Sequence, residues 1–364
     1  MIDKEKAAMP PNVMPTKVQL FIRYLKSALG FWRGHTGWLA WTLSILLLIL
    51  ILLQLYIQYR INFWNRDFFN ALSAKDVAQV WKEAWVFMPL ALSNVLLAVL
   101  TVWAKMTAQR RWRKWLSQNM IHKWVQNNHY LQLTVLENQP RNAEYRIAED
   151  ARVATDLPFE LALGLVTSVL TAITFIGILW EIGGSLKLAV LGVTFYIPGY
   201  LVWGALGYSA VLTGATFLFA RHLTTSVEDK NTTEAEFRAS ASGLRLHIEE
   251  NKENKHEAKN TVFLALNNVI ESWRQLCFQL MRTTFVSSGN AVLAPVIGLL
   301  FCAPKYLTND MSIGQVVQAA AAFVTVQHCF NWLLNNYPGI ADWLSSSHRV
   351  AFLLFALDEL NHKK

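Results

Sequence analysis

Long apolar runs, more than any short alternating pattern, set the rhythm of this chain. Gly37 to Tyr59, Ala84 to Ala104, Leu161 to Trp180 and Thr283 to Pro304 contain no charged residue. A hydrocarbon layer about 30 Å thick takes roughly 20 apolar residues as helix, because backbone amides cannot be left unpaired in lipid. Each run is therefore predicted to be a membrane-spanning helix. Leu188 to Ala220 is too long for one simple helix and is broken at Ile197-Pro198-Gly199, which predicts an exposed entry segment and then a helix from about Gly199 onward. A sixth span, from about Ile313 to Tyr337, carries Gln315, Gln318, Gln327, His328, Asn331, Asn335 and Asn336. Facing lipid would be costly for such a helix, so it is predicted to line an aqueous cavity or a helix interface.

The connections alternate in size, short at 60–83, 181–187 and 305–312 and long at 105–160 and 221–282. From Lys105 to Trp124 the chain has good helix formers and no proline, so the second span is predicted to continue beyond the bilayer as one long helix. The stretch from Val227 to about Met281 reads the same way, and Asn138-Gln139-Pro140 marks a turn between outgoing and returning helices in the first long connection. Each long connection is thus predicted to be a helical hairpin. Ahead of the first span, Val18, Phe21, Ile22, Leu25, Leu29 and Trp32 recur at helical spacing among Lys17, Arg23, Lys26 and Arg33, the pattern of an amphipathic elbow helix on the membrane surface. The resulting division is an N-terminal segment 1–36, a six-helix transmembrane domain 37–341 and a C-terminal helix and tail 342–364.

Composition agrees with this class. Of 364 residues 53% are hydrophobic and only 16% charged, with 15 tryptophans, whereas soluble domains carry nearer a quarter charged residues. The net charge of +8 raises nucleic acid as a partner, but its distribution removes that reading. Six of the 33 lysines and arginines lie in the short connections and the other 27 lie with the termini and long connections. The positive-inside rule then places both termini and both long connections in the cytoplasm. Cys277, Cys302 and Cys329 are scattered without disulfide or metal-ligand spacing, and no metal or cofactor is expected.

Specific residues narrow the layout. Phe63-Trp64-Asn65-Arg66-Asp67-Phe68-Phe69-Asn70-Ala71-Leu72 resembles the W-x-x-x-F-[FY]-[ND]-A-L segment of SbmA/BacA-like peptide transporters and their ABC relatives. Arg146-Ile147-Ala148-Glu149-Asp150 resembles their R-I-x-E-D run, with Asn142-Ala143-Glu144-Tyr145 standing where relatives have N-P-D-Q. Glu234-Ala235-Glu236-Phe237-Arg238 resembles their E-A-x-[FY]-R motif, and Leu246 to Asn251 follows where they have a further charged segment. The resemblance covers about residues 35 to 355. It implies an all-α membrane protein, a six-transmembrane-helix ABC exporter-like (type IV) domain with long cytoplasmic helical extensions. It also implies a homodimer in a bacterial inner membrane, enclosing one cavity. SbmA/BacA-type members import peptides or similar bulky solutes with the proton gradient, while the ABC relatives carry an ATP-binding domain. Within these residues there is no G-x-x-x-x-G-K-[ST] and no Gly-Lys pair, so ATP hydrolysis by these residues alone is not expected. The alternative to proton-driven import is the transmembrane half of an ABC transporter, served by a separate ATPase subunit or domain.

No catalytic constellation emerges from the nine histidines, and no H-E-x-x-H or nucleophile elbow is present, so an enzyme is not expected. The acidic residues are more informative. Glu149, Asp156 and Glu160 stand at i, i+7 and i+11 and share one helix face, beside Asp150. They either face water and pair with Arg146 and Arg152, or line the inner cavity with Glu234 and exchange protons. The resemblance supports proton coupling at Glu149 and Glu234. Gln327, His328, Asn331 and Asn335 on the sixth span either face substrate or hydrogen-bond between helices. Arg110-Arg111-Trp112-Arg113-Lys114-Trp115 reads as snorkelling cations with interfacial tryptophans.

Overall fold

The computed structural model describes residues 16–34, 37–135, 142–190, 193–250 and 255–362. The helices are α1 (Lys17–Arg33), α2 (Gly37–Ser73), α3 (Val77–Val125), α4 (His129–Val135), α5 (Ala143–Tyr145), α6 (Ala151–Gly183), α7 (Tyr200–Ala220), α8 (Leu223–Glu250), α9 (Lys255–Leu307) and α10 (Ile313–His362). Six of them are long and apolar enough to cross a membrane. They contain the six runs read from the sequence, and α3 continues past Lys105 without a break. The turn expected at Asn138-Gln139-Pro140 lies outside the described residues. In the second long connection α8 and α9 pack as the expected hairpin.

Two features depart from the sequence reading. The entry segment before Gly199 is a β-hairpin, β1 (Ser185–Val190) paired antiparallel with β2 (Val193–Pro198), with Leu186 opposite Ile197 and Leu188 opposite Phe195. Val193, Thr194, Phe195, Tyr196 and Ile197 favour a pleated strand, and Pro198 ends it. Gly199 then turns the chain into α7 at φ 62°, where a β-carbon would stand 2.3 Å from the Trp180 ring. The last span, second, does not stop at Tyr337: α10 runs through Pro338 as one helix of 50 residues.

The chain forms two compact units. The first comprises Met1–Ile61, Ala84–Leu170 and Asn335–Lys364, the second Asn62–Glu83 and Thr171–Leu334. In the first, Ala104, Ala108, Trp112, Leu116 and Met120 repeat every fourth residue along α3 and are all buried. Such a row makes a ridge that neighbouring helices can straddle. Val350, Ala351, Leu353, Leu354 and Leu357 of α10 and Tyr24, Ala28 and Phe31 of α1 complete this core. Trp112, read from the sequence as an interfacial tryptophan, is instead buried and meets Phe31, Trp32 and Phe159 edge-on or stacked. Polar ties hold the same helices. Tyr24 donates to the Ala154 carbonyl, and Trp343 donates to the Tyr24 oxygen at 3.3 Å. Burial pushes the Tyr24 phenol well above the usual tyrosine range, so it stays a neutral donor. Asp358 of α10 accepts from Arg23 of α1 and from Lys123 of α3, the latter at 2.6 Å.

The first half of α10 is the hub of the second unit. Gln327 donates to the Ala205 carbonyl and the Ser209 hydroxyl at 3.0 and 2.9 Å, and Tyr208 donates to Asn290 at 2.9 Å. The helix start is capped twice: Ser312 and Gln315 bond each other's backbone N–H, and the Gly314 N–H donates to Asn70 at 3.0 Å. Asn70 belongs to the Trp64–Leu72 segment whose motif stood out in the sequence, and capping α10 is its structural task. Asn62, one of the residues beside that segment, donates to the Gln318 carbonyl at 3.1 Å. The Gln318 amide itself is 1% exposed, and neither its nitrogen nor its oxygen has a partner among the described residues. An unpaired buried amide costs about 1–3 kcal/mol. Gln318→Met, which keeps the shape and removes both polar atoms, should therefore raise the thermal unfolding temperature in detergent. A fall on substitution would show that the amide is bonded.

Candidate functional site

The sequence places Glu149 and Asp150 at the end of a widened, π-helical turn, Arg146–Asp150, that joins α5 to α6. Such a turn aims successive side chains to directions a regular helix would not. Asp150 points inward and is 1% exposed, while Glu149 faces outward from the turn together with Asp156 and Glu160 of α6. These carboxylates, together with Lys105 and Gln109 of α3 and Asp342, Ser345 and Arg349 of α10, line a cavity of about 720 Å³ within the first unit.

Ion pairs organise the cavity wall. Arg349 grips Asp150 through two parallel bonds, Nε to Oδ2 at 2.9 Å and Nη2 to Oδ1 at 2.7 Å, and also donates to Ser346 at 2.9 Å. Planar two-point pairing of this kind fixes orientation as well as distance. Arg146 donates to the Arg349 carbonyl at 3.3 Å and so braces the same corner. Arg152 pairs with Glu149 and lies 3.9 Å from Asp156, and Lys105 lies 3.8 Å from Glu160. Gln109 donates to the Asp156 carbonyl at 2.8 Å, tying α3 to α6 beside the cavity. The lining holds five carboxylates against three cations, so it is acidic in balance and strongly polar.

The remaining residues singled out from the sequence lie elsewhere. Glu234, in the second unit, accepts from the Trp273 indole at 3.2 Å, and Lys230 stands 4.7 Å over the same ring. Gln327 is buried in its bonds to α7. His328 and Asn335 are exposed on α10 and Asn331 is half-buried. Sequence reasoning missed Arg349 and Lys105 as members of the cavity. The run Ser345-Ser346-Ser347-His348-Arg349, a polar block directly before the apolar Val350 to Leu357, was the available signal for the first of these.

Residues 32–307 match the family of ABC transporter transmembrane region 2. The chain belongs to that family. This ABC transmembrane domain is 26% identical over 336 residues to the inner membrane ABC transporter ATP-binding protein YddA of Escherichia coli, covering 89% of this chain and 58% of that protein. It is 23% identical over 329 residues to an ABC transporter ATP-binding protein of Synechocystis, 86% of this chain and 46% of the other. It is also 21% identical over 350 residues to ABC transporter D family member 2 of the Arabidopsis thaliana chloroplast, 93% and 47% respectively. The ABC transmembrane domain thus spans about half the length of the curated relatives it matches. The family and the six described helices long and apolar enough to cross a membrane make this a multi-pass membrane protein with an ABC transporter transmembrane region.

Proposed function

We propose that this ABC transmembrane domain works as a homodimer in a bacterial inner membrane, with both termini cytoplasmic, and moves peptides or similar bulky cationic or zwitterionic solutes on energy supplied by ATP-binding domains. The observation that carries the energy source is the match to relatives named as ATP-binding proteins, across most of this chain. Substrate class rests on the cavity, where carboxylates outnumber cations and the wall is polar. Orientation rests on the 27 lysines and arginines gathered on one side. Dimerisation is supported by His328 and Asn335, polar and exposed on an apolar helix, where lipid contact would be costly.

A second reading is proton-driven import of the SbmA/BacA kind, favoured by Glu149 and Glu160 at the cavity and by the Glu234 motif. Membrane vesicles of both orientations, from cells with and without the gene, separate the two. Uptake of short labelled lysine-rich peptides should require ATP and survive a protonophore. Uptake that runs on an imposed pH gradient without ATP, and stops with the protonophore, would overturn ATP energisation. Cysteines introduced as His328→Cys or Asn335→Cys, with the native three replaced, should cross-link to a species of twice the mass. A cross-link-free, fully monomeric protein that still transports would remove the dimer.

A further inference from the structure

Among the described residues nothing covers the outward face of α1, and that face carries a charge pattern that identifies its partner. At roughly 100° per residue, α1 divides into three stripes. Tyr24, Ser27, Ala28 and Phe31 are buried against the first unit. Val18, Ile22, Leu25 and Leu29 form an apolar arc about 60° wide by that geometry and are 41 to 68% exposed. Lys26 and Arg33 run along the edge of that arc, both exposed, with no carboxylate partner among the described residues.

The helix contains four cations and no acidic residue. Arg23, on the same side but nearer the buried stripe, is already spent on Asp358. The first span follows α1 closely in the chain, and its Trp38 and Trp41 are 82% and 56% exposed, a residue type that favours the headgroup layer. Close by on α3, Arg110, Arg111, Arg113 and Lys114 are exposed as well, and a β-carbon at Gly30 of α1 would stand within 3 Å of the Trp115 ring. An apolar stripe just ahead of a membrane span, edged by cations with no carboxylate partner among the described residues, fits a bilayer surface of negative charge better than a neutral one.

We infer that α1 is a binding surface for anionic phospholipid, with Val18, Ile22, Leu25 and Leu29 entering the acyl boundary and Lys26 and Arg33 contacting the phosphate and acidic headgroup. The inference needs only the membrane placement and is independent of the energy source of transport. The test is amide hydrogen exchange of residues 17–33, measured on the full chain in nanodiscs of phosphatidylcholine alone and of phosphatidylcholine mixed with phosphatidylglycerol. Exchange should slow on the order of tenfold in the acidic discs, from two cations near an acidic surface. In the Lys26→Gln/Arg33→Gln variant that difference should shrink to under about threefold, still by the same reasoning. Both side chains are exposed, so the variant should fold, and unchanged exchange in the buried part of α3 confirms that it has. Equal protection in both lipids would overturn the inference, and so would protection that depends on protein concentration, which would mean a second copy covers the face. A lipid difference that persists undiminished in the variant would assign it to the cations of α3 and equally overturn the role of α1.

Discussion

Gly314→Ala should prevent the second unit from reaching its native packing. A β-carbon at that position would lie 2.1 Å from the Arg66 carbonyl oxygen and 2.5 Å from the Asn70 side-chain oxygen. The first is backbone inside α2, so it cannot rotate away. Relief requires α10 to withdraw from α2, and withdrawal breaks the bond from the Gly314 N–H to Asn70 and exposes a helix start that Asn70 caps. Overpacking a tight contact costs about 1–3 kcal/mol and losing a cap about 1 kcal/mol more, so the loss should reach roughly 3 kcal/mol. Gly207→Ala is the control, because nothing described stands within 4 Å of its β-carbon position. That substitution should be neutral or stabilise by up to about 1 kcal/mol, since alanine is the better helix former. Size-exclusion profile and thermal unfolding in mild detergent read both. A Gly314→Ala protein as stable as the parent would mean that α2 and α10 are not in contact there.

Arg349→Ala should cost about as much by a different route. It leaves Asp150, whose side chain is 2% exposed, as a buried carboxylate without its cation. Breaking one partner of a buried pair typically costs about 3–5 kcal/mol, and the lower end applies because the Arg349 side chain is 44% exposed. Removing both charges together, as Asp150→Leu with Arg349→Met, should recover most of that loss, because a well-packed apolar pair avoids the desolvation cost altogether. Transport should not recover with stability if the cavity needs the charge. A single Arg349→Ala variant that unfolds at the parent temperature would show that Asp150 finds another partner. The pair also joins the turn that leads into α6 to α10 at the cavity wall, so its effect on stability and on transport can be separated by the double variant.

The membrane class was legible in the chain itself for a plain physical reason. A span is a property of some 20 consecutive residues in lipid, and the backbone must satisfy its own hydrogen bonds there whatever the neighbours are. The continuation of α3 past Lys105 was readable for the same reason, since helix propensity without proline is local. The face shared by Glu149, Asp156 and Glu160 follows from the helical repeat alone.

What the sequence could not determine depends on which distant segments meet. Asp150 finds Arg349 199 residues away, and nothing local to either predicts the pairing. Trp112 and the tryptophans around it have the same composition as an interfacial belt, and only the arrival of α1 and α6 makes it a core residue. Gly314 reads as an ordinary glycine until α2 comes against it. Gln327 and His328 are adjacent in the chain, yet one is locked to α7 and the other is exposed, because a helix turns about 100° between neighbours and only packing decides which face is covered. The strands before Gly199 belong to the same class, since an apolar stretch with β-branched residues can be helix or hairpin, and pairing settles which. The sequence by itself determined which six runs are apolar enough to cross a membrane and, among the described residues, where the helices are long. The tertiary structure decided which polar groups face the cavity, because burial and pairing belong to contacts between helices and not to any one of them.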